Sequence, residues 1–399
     1  MSTFVSAPAL AQRTNSLAAS AIGSILRLAD SADMVALAAG SPAPETFCAT
    51  EVAEVVAELL ASGPHSLQYG DTEGLWSLRE WIAAEQTALV GRQVSPDGIV
   101  MAHGSQQALD LICKALIDPG DVIVVDRPSY IGALQVFQLY QPELVSVPIA
   151  SDEGLDQLQS LMDGGLRPKM LYIVPNFANP SGLTLSRGQR EKLADLAARH
   201  GFAIVEDDPY GKLGFTDEVS RLPALAALSD AVIRIESFSK SLFPAARLGY
   251  MTAPQGLVDV LQKFKQAADL GNSQFVERIV HGLVTRPGLL DGLLVRSRAL
   301  YSDRRDTLIS SLRGHLGDRL RFATPDGGFF LWAGLPDGTD ATRLLTEALT
   351  SDVSFVPGAG FFADHPDVAT LRLSYSCASP ERLTAAGPRL AAALDRIAP

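Results

Sequence analysis

The sequence predicts an α/β protein with a mostly parallel sheet and a smaller α+β unit toward its C-terminal end. From about residue 99, short runs rich in β-branched residues alternate with amphipathic helical segments. The runs are largely apolar, as expected of parallel strands that helices cover on both faces. The predicted strands are Ile99–Ala102, Val122–Asp126, Leu144–Pro148, Met170–Val174, Ala203–Asp207, Val232–Ser237 and Leu248–Thr252.

The helices between these strands have their own signals. The segment 105–117 carries apolar residues at helical spacing. A capping box of Ser186 and Gln189 begins another helix, which we expect to end at Gly201. The pattern changes near residue 295. A long basic helix over 295–312, a glycine-led strand in 327–332, a helix near 340–350 and a strand over 371–374 predict the α+β unit.

Composition and charge exclude several classes of protein. The 399 residues include 33 Lys and Arg against 45 Asp and Glu, a net charge of −12, which argues against general nucleic-acid binding. Apolar residues make up 47% of the chain, enough for a buried core. The three cysteines are far apart, which predicts a reducing compartment and no structural zinc site. Because we find neither an export signal nor an apolar run of about 20 residues, we expect a cytoplasmic protein that does not span a membrane.

The polar segments that directly follow the predicted strands are the first candidates for a functional site. Ligands of an open parallel sheet bind beyond the carboxyl ends of its strands. These segments contain a lysine, a carboxylate, an asparagine, two tyrosines and several hydroxyls. They are Gly104–Gln107, Pro128–Tyr130, Asn176–Gly182, Asp207–Tyr210 and Ser237–Lys240. No GxGxxG follows a strand and no GxxxxGK[ST] is present, which argues against a dinucleotide or a nucleoside triphosphate.

Lys240 is the candidate nucleophile of this site. A lysine amine forms Schiff bases when burial or a nearby cation lowers its pKa, and Arg247 lies seven positions further on. Pyridoxal 5′-phosphate requires a lysine for its aldehyde, a carboxylate for its ring nitrogen and donors for its phosphate. Asp207 would pair with the protonated ring nitrogen. The phosphate would be bound by Arg247, neighbouring hydroxyls and the helix that begins at Ser105. Taken singly, each residue also has a structural explanation, such as a surface lysine or an acidic strand end.

A series of motifs extends this interpretation from about residue 36 to 380. The motifs are Gln68-Tyr-Gly70, Gly104-Ser-Gln-Gln-Ala-Leu-Asp-Leu111, Asp118-Pro-Gly-Asp121, Pro128-Ser-Tyr130, Pro175-Asn-Phe-Ala-Asn-Pro-Ser-Gly182, Glu206-Asp-Asp-Pro-Tyr210, Ser237-Phe-Ser-Lys240, Arg247-Leu-Gly249 and Leu371-Arg-Leu-Ser374. Each motif is weak alone, but their order is specific. The series resembles the class I/II aminotransferases of fold type I, and among them the 2-aminoadipate/kynurenine aminotransferase group.

This resemblance implies both an activity and an architecture. The activity is a pyridoxal-phosphate-dependent transfer of an amino group between an L-amino acid and a 2-oxo acid by a ping-pong mechanism. The architecture is a large domain with a seven-stranded, mostly parallel sheet, a smaller α+β domain, and a homodimer with shared active sites. The implied boundaries are an N-terminal arm at 1–35, a large domain at 36–295 and a small domain at 296–399 to which the N-terminal segment contributes.

The resemblance also implies how residues would bind the cofactor. Lys240 would form the Schiff base and act as the general base, Asp207 would pair with the ring nitrogen, and Tyr130 would stack on the ring. Asn179 and Tyr210 would hydrogen-bond the ring hydroxyl oxygen. The remaining groups would bind the phosphate, and they are Ser105, Gln106, Ser237, Ser239, Arg247 and, from the partner subunit, Tyr69.

The substrate site follows from the same resemblance. Arg372 would clamp the substrate carboxylate, and Asn179 and Gly40 would also contact the substrate. Ser20-Ala-Ile-Gly23 stands where this group commonly has Ser-x-Ile-Arg, whose arginine meets a distal carboxylate. Gly23 therefore favours a donor with an apolar, aromatic or cationic side chain, unless Arg13 or Arg27 compensates.

Three other functions remain as alternatives. A pyridoxal-phosphate-dependent lyase, cyclase or oxidase would use the same lysine. The same domain also forms the effector-binding half of certain bacterial regulators, but the roughly 35 residues that precede the aligned region lack a helix-turn-helix pattern. The third alternative is a dinucleotide-dependent oxidoreductase, but the sequence lacks the GxGxxG motif after a strand that such an enzyme would need.

Overall fold

The structure, a computed structural model, describes residues 10–11, 13–14 and 33–397. Most of the predicted arm 1–35, including Ser20, Gly23 and Arg27, lies outside the described residues. The strands are β1 (Val35–Ala36), β2 (Ile99–Ala102), β3 (Val122–Asp126), β4 (Glu143–Val147), β5 (Met170–Ile173), β6 (Ala203–Asp207), β7 (Val232–Ser237), β8 (Gly249–Thr252), β9 (Arg321–Phe322), β10 (Phe330–Gly334), β11 (Val353–Ser354), β12 (Val356–Pro357) and β13 (Thr370–Ser374).

The helices connect and cover these strands. They are α1 (Ala49–Ala61), α2 (Trp76–Val90), α3 (Ser105–Leu116), α4 (Ile131–Gln138), α5 (Asp152–Asp163), α6 (Arg187–His200), α7 (Asp217–Ser220), α8 (Leu225–Leu228), α9 (Gln255–Asp269), α10 (Gln274–Val284), α11 (Leu289–Leu316), α12 (Ala341–Leu349) and α13 (Pro380–Ile397). Within the described part of the chain, no helix has the length and apolar character that crossing a membrane requires.

The main sheet confirms the predicted α/β class. Its strand order is β2-β8-β7-β6-β5-β3-β4, a sheet of seven strands within the described residues. Strands β3 to β7 pair in parallel, and β8 runs antiparallel to both of its neighbours. Every residue of β2 and of β5 is buried, because helices cover the sheet on both faces. The mostly parallel seven-stranded sheet is therefore confirmed.

Helix α6 has both ends that its sequence predicts. The Ser186 side chain accepts a hydrogen bond from the Gln189 amide, and the Gln189 side chain accepts one from the Ser186 amide. Gly201 ends the helix with a φ of 74°, a left-handed conformation that favours glycine. The helix fixes the segment after β5 against the sheet, since Arg190 within it donates to the Pro175 carbonyl.

A second, antiparallel sheet of order β12-β13-β10-β9 forms the α+β unit, with α11 and α13 packed together beside it. Strand β1 pairs in parallel with β11, so the segment that leads into the main sheet also joins this unit. Helix α11 is longer than the predicted 295–312, and Gly288 and Gly317, both at positive φ, flank it. The predicted domain boundaries at 35 and 295 stay predictions.

Strand β10 begins at Phe330 rather than at the predicted Gly327. The preceding glycines lie against the ring of Phe177, and a Cβ on Gly327 would overlap that ring. Gly328 has a φ of 71° and is also close to Phe177. The glycine pair is therefore an entry turn that lets the second sheet approach the loop after β5.

Candidate active site

One cavity of about 400 Å³ lies beyond the carboxyl ends of the parallel strands. The predicted residues that line it are Gly40, Ser105, Gln106, Tyr130, Asn179, Asp207, Tyr210, Ser237, Ser239, Lys240, Arg247 and Arg372. Tyr69 does not line it; its side chain is 91% exposed and borders a separate surface groove. The structure therefore brings together the predicted site residues of one subunit.

The strand directions explain this convergence. Asp207 and Ser237 are the last residues of β6 and β7, and Ser105 begins the helix after β2. These three strands run in the same direction, so their carboxyl ends share one edge of the sheet. Arg372 enters the cavity from β13 of the second sheet. The site thus lies between the two sheets.

Lys240 is one of the residues that line the cavity. Its Nζ donates a hydrogen bond to the Gly40 carbonyl at 2.9 Å and lies 5.7 Å from the centre of the Phe329 ring. Burial, together with the nearby charge of Arg372, lowers the pKa of Lys240 to about 8. The neutral amine, which is the form that acts as a nucleophile and a base, is therefore the minor form at pH 7 but far more abundant than in an ordinary lysine.

Asp207 is a buried carboxylate with one oxygen free. The Tyr172 hydroxyl donates to its Oδ2 at 3.0 Å, whereas Oδ1 makes no hydrogen bond within the described residues. Burial raises the pKa of Asp207 to about 6, against the lowering effect of the Ser105 and Tyr172 hydroxyls. An unpaired carboxylate oxygen in a buried site is costly. A protonated ring nitrogen placed opposite Oδ1 would satisfy it.

Gly104, Ser239 and Arg247 line the same cavity and supply hydrogen-bond donors. Gly104 has a φ of 75°, and a Cβ there would lie 3.3 Å from Nη2 of Arg247. Arg247 also has a positive φ of 44° and donates to the His103 carbonyl at 3.3 Å. The buried Ser239 Oγ makes no hydrogen bond within 33–397. A helix N-terminus, an arginine and an unpaired hydroxyl fit a phosphate group.

Gln106 has a definite partner in the structure. Its side-chain amide donates to the Gly132 carbonyl at 2.9 Å. A Cβ on Gly132 would overlap the ring of Tyr130, with atoms 2.5 Å away. Gln106 thus anchors the turn on which the Tyr130 ring rests, in addition to lining the cavity.

Arg372 is a buried guanidinium held by neutral groups. It donates to Asn179 Oδ1 at 2.8 Å and to the Ala38 carbonyl at 2.7 Å. Its Cζ lies 4.3 Å from the centre of the Phe330 ring and 5.1 Å from that of Phe361. Burial lowers the pKa of Arg372 to about 10. A charged guanidinium held without a carboxylate is suited to take one from a ligand.

Tyr210 is a buried residue that lines the same cavity. Its ring packs edge-on against Phe329 at 5.5 Å and Phe330 at 6.0 Å between centres. Burial raises the pKa of the Tyr210 hydroxyl, while a hydrogen bond with Asn179 acts in the opposite direction. Tyr210 is therefore a neutral hydrogen-bonding group next to Asn179.

Sequence reasoning missed some of the groups that form the site. Tyr172 lies within a strand and Phe330 begins one, and for neither residue does the sequence predict a role in the site. The backbone carbonyls of Gly40 and Ala38 accept hydrogen bonds from Lys240 and Arg372. Every residue has such a carbonyl, so no sequence motif indicates these contacts. One signal was available for Tyr172. A phenol hydroxyl in a fully buried strand requires a polar partner.

The donor set fits pyridoxal 5′-phosphate at three separate points. The unpaired Oδ1 of Asp207 suits a ring nitrogen, the cup around Gly104 suits a phosphate, and Lys240 suits an aldehyde. All three line the same cavity. We therefore treat the cavity as a cofactor site.

Comparisons with known proteins agree with this chemistry. Residues 32–390 match the family described as aminotransferase class I and II. The chain is 37% identical to aromatic-amino-acid aminotransferase 1 of Thermococcus litoralis, over 94% of this chain and 91% of that protein.

Solved structures are similar over nearly the whole chain. The α-aminoadipate aminotransferase of Thermus thermophilus, complexed with N-(5′-phosphopyridoxyl)-L-leucine, has a TM-score of 0.89 and 34% identity over 97% of each chain. The kynurenine aminotransferase of Pyrococcus horikoshii has a TM-score of 0.90 and 32% identity over 97% of each chain. These similarities do not favour a lyase, cyclase or oxidase. The chain belongs to the class I and II aminotransferases, pyridoxal-phosphate-dependent enzymes that transfer an amino group between an amino acid and a 2-oxo acid.

Proposed function

We propose that Lys240, Asp207 and Arg372 carry the aminotransferase reaction in this cavity. The observation that supports the proposal most is that Lys240, Asp207 and Arg372 line one cavity, where Asp207 Oδ1 has no hydrogen-bond partner among the described residues. Bound pyridoxal 5′-phosphate supplies an aldehyde that accepts the amino group and a ring that withdraws electrons from the bond to be broken.

The residues of the chain perform the remaining tasks. Arg372 exchanges the Ala38 carbonyl for the substrate carboxylate, which orients the α-carbon toward Lys240. The neutral Nζ of Lys240 takes the proton from the α-carbon as general base and later returns it as general acid. Asp207 holds a compensating negative charge at Oδ1, in a buried site where that charge acts strongly.

The other predicted residues position the cofactor in this proposal. Tyr130 would stack on the ring, and Asn179 and Tyr210 would hydrogen-bond the ring hydroxyl oxygen. The packing of the Tyr210 ring against Phe329 and Phe330 would fix its position. The groups that would bind the phosphate are Ser105, Gln106, Ser237, Ser239 and Arg247.

We further propose a homodimer in which the partner subunit's Tyr69 reaches the phosphate. Tyr69 is 91% exposed, and the apolar side chains of Leu67 and Leu270 next to the same groove are 64% and 66% exposed. An exposed apolar patch of this kind is typical of a protein–protein interface. Analytical ultracentrifugation tests whether the protein is a dimer. The Tyr69→Ala variant tests the contact with the phosphate, and we expect it to bind the cofactor more weakly.

The donor class, the location and the domain boundaries are also proposals. Gly23, where an arginine would meet a distal carboxylate, supports a donor with an apolar, aromatic or cationic side chain. The free thiols of Cys48, Cys113 and Cys377 support a reducing compartment such as the cytoplasm. The pairing of β1 with β11 supports a small domain that includes part of the N-terminal segment.

A half-reaction screen tests both the reaction and the donor. Purified enzyme with bound cofactor is mixed with single amino acids, and the change in cofactor absorption is followed together with release of the 2-oxo acid. We expect conversion with apolar, aromatic or cationic donors. A preference for glutamate or aminoadipate would contradict the donor proposal.

Lysine variants test the assignment of the reactive amine. We expect Lys240→Ala to show no conversion with any donor. Lys169→Ala is the matched control, because Lys169 precedes β5 at the opposite edge of the sheet and its side chain is 51% exposed. Wild-type turnover in Lys240→Ala would contradict the proposed mechanism.

A further inference from the structure

Tyr172 and Asp207 lie on the same face of the main sheet. Tyr172 of β5 pairs with Val205 of β6 in parallel register. Asp207 is two residues beyond Val205, so its side chain points to the same face. A tyrosine is long enough to reach such a diagonal neighbour on the next strand. The register of β5 and β6 therefore sets the contact between them.

The contact is a single hydrogen bond in a closed environment. The Tyr172 hydroxyl donates to Asp207 Oδ2 at 3.0 Å, and the residues are 1% and 2% exposed. Phe137 packs edge-on against the Tyr172 ring with 5.4 Å between centres, which restricts the ring. Oδ2 is thus occupied by a fixed donor, while Oδ1 has no partner among the described residues of the cavity.

The charges around Asp207 make this donor important. Burial raises its pKa, and the charge of Asp208 acts in the same direction. The Ser105 hydroxyl, the Tyr172 hydroxyl and the charge of Arg234 act against them. In addition to burial, the charge of Asp207 in turn raises the pKa of the Tyr130 and Tyr210 hydroxyls. Since hydrogen bonds to a carboxylate favour its ionised form, loss of the Tyr172 hydroxyl would make Asp207 a stronger proton acceptor.

We propose that Tyr172 is a positioning residue for Asp207, whose hydroxyl holds Oδ2 and stabilises the carboxylate so that Oδ1 pairs with a protonated cofactor nitrogen. This inference rests on the role proposed above for Asp207. Without the hydroxyl, the ring N–H bond would break and an O–H bond would form at Oδ1. The proton would move from nitrogen to oxygen, so both charges would disappear and the ring would withdraw electrons less strongly.

The experiment uses the holoenzyme loaded with cofactor that carries ¹⁵N in the ring. In Tyr172→Phe we expect the nitrogen resonance to move from the protonated toward the unprotonated position. We also expect kcat to fall about tenfold or more, the effect of losing a hydrogen bond to a charged group, with KM for the amino acid nearly unchanged. The nitrogen resonance is independent of turnover.

Tyr375→Phe is the matched control. Tyr375 is 0% exposed and its hydroxyl donates to the Gly327 carbonyl at 2.8 Å, so both variants lose one buried hydrogen bond. Both apoproteins should melt at similarly lowered temperatures, but only Tyr172→Phe should shift the nitrogen resonance. Tyr172→3-fluorotyrosine, which keeps ring and hydroxyl, should retain the protonated resonance. This variant tests the same inference if the phenylalanine variant folds poorly.

The outcomes separate this inference from the proposed function. If Asp207→Asn shifts the resonance and Tyr172→Phe does not, Tyr172 is structural and the inference is wrong. A fluorotyrosine variant that behaves like Tyr172→Phe would also overturn it, because the hydroxyl would then not be the cause. If Asp207→Asn itself leaves the resonance and kcat unchanged, the role proposed for Asp207 is wrong.

Discussion

Arg372 lies against Phe330, with the guanidinium Cζ 4.3 Å from the centre of the ring. Phe361 lies near the same group at 5.1 Å, and Asn179 and the Ala38 carbonyl accept its hydrogen bonds. Aromatic faces stabilise a desolvated cation without neutralising it. The packing of the second sheet therefore keeps a charged guanidinium in place with no carboxylate bound, which is the state that a substrate must meet.

Replacing Arg372 by lysine should weaken substrate binding although the charge is kept. A lysine cannot form two parallel hydrogen bonds to a carboxylate, nor reproduce a planar group between two rings. We expect KM for the amino acid to rise by about 100-fold. Steady-state kinetics measure this effect. Arg199→Lys is the control, since Arg199 is an exposed helix residue paired with Asp195. An unchanged KM in Arg372→Lys would show that another group binds the carboxylate.

Adding a methyl group at Gly40 should disturb the same ring. A Cβ on Gly40 would lie 2.7 Å from Phe330 Cζ, which is closer than such contacts normally allow. Gly40→Ala should displace the ring that supports Arg372, so we expect KM to rise several-fold while cofactor affinity stays near the wild-type value.

Gly188→Ala is the control for the added methyl group. Nothing lies within 4 Å of a Cβ at that position, and the substitution should slightly stabilise helix α6. If Gly40→Ala weakened cofactor binding as strongly as substrate binding, the effect would not arise through the Phe330 ring.

The main sheet could be predicted from the sequence because its strands are long enough to show a run of apolar, β-branched residues. The observed bounds of Ala203–Asp207 and Val232–Ser237 are those predicted. Strand β4 begins at Glu143 instead of Leu144, because a polar residue at the start of an edge strand carries no apolar signal. The two-residue strands Val35–Ala36 and Val353–Ser354 are too short to show a period, and only their pairing defines them.

Some residues of the candidate site could be predicted from the sequence, and others could not. Asp207 and Lys240 could be predicted because Asp207 ends β6 and Lys240 lies in the segment after β7, at the edge of the sheet where ligands bind. The roles of Tyr172 and Phe330 depend on the register between β5 and β6 and on the approach of the second sheet. Neither relationship is local in the chain, so no motif contains it.

The stability of the cofactor-free protein should depend on pH through Lys240. The pKa of Lys240 is about 8 in the folded protein, against 10.5 for an ordinary lysine. Between these values the unfolded chain binds more protons, so stability rises with pH across this window. Lys240→Met removes the cost of burying the charge. We expect the variant apoprotein to be more stable than wild type at pH 7, by at most about 3 kcal/mol.

Urea denaturation of both apoproteins from pH 7 to pH 10.5 measures this difference. The advantage of Lys240→Met should shrink steadily as the wild-type lysine loses its proton in both states. Lys169→Met is the control, because its side chain is largely exposed and should show no comparable advantage at pH 7. A constant difference over the whole range would mean that packing, not charge, separates the two proteins.

The buried ion cluster beneath Asp207 should be the most sensitive part of the sheet. Arg234 lies 2.8 Å from Glu206, 2.9 Å from Asp208 and 2.8 Å from Glu236, and each of these side chains is at most 10% exposed. Although burial acts in the opposite direction, the charges of Arg234 and Lys212 hold the pKa of Glu236 at about 2. Arg234→Met leaves these carboxylates buried without their shared partner. We expect a loss of about 3–5 kcal/mol in the free energy of unfolding at neutral pH.

The pH dependence of this loss identifies its cause. In the wild type, the stability from Glu236 is present above its ordinary pKa of 4.5 and disappears as the pH falls toward about 2. In Arg234→Met the unpaired carboxylates can take up protons at a higher pH, so the penalty measured by urea denaturation should be smaller at pH 4 than at pH 7. Arg199→Met, which removes an exposed pair with Asp195, should change stability by at most about 0.5 kcal/mol at either pH. An equal penalty for Arg234→Met at both pH values would assign the loss to packing around the lost guanidinium rather than to unpaired charge.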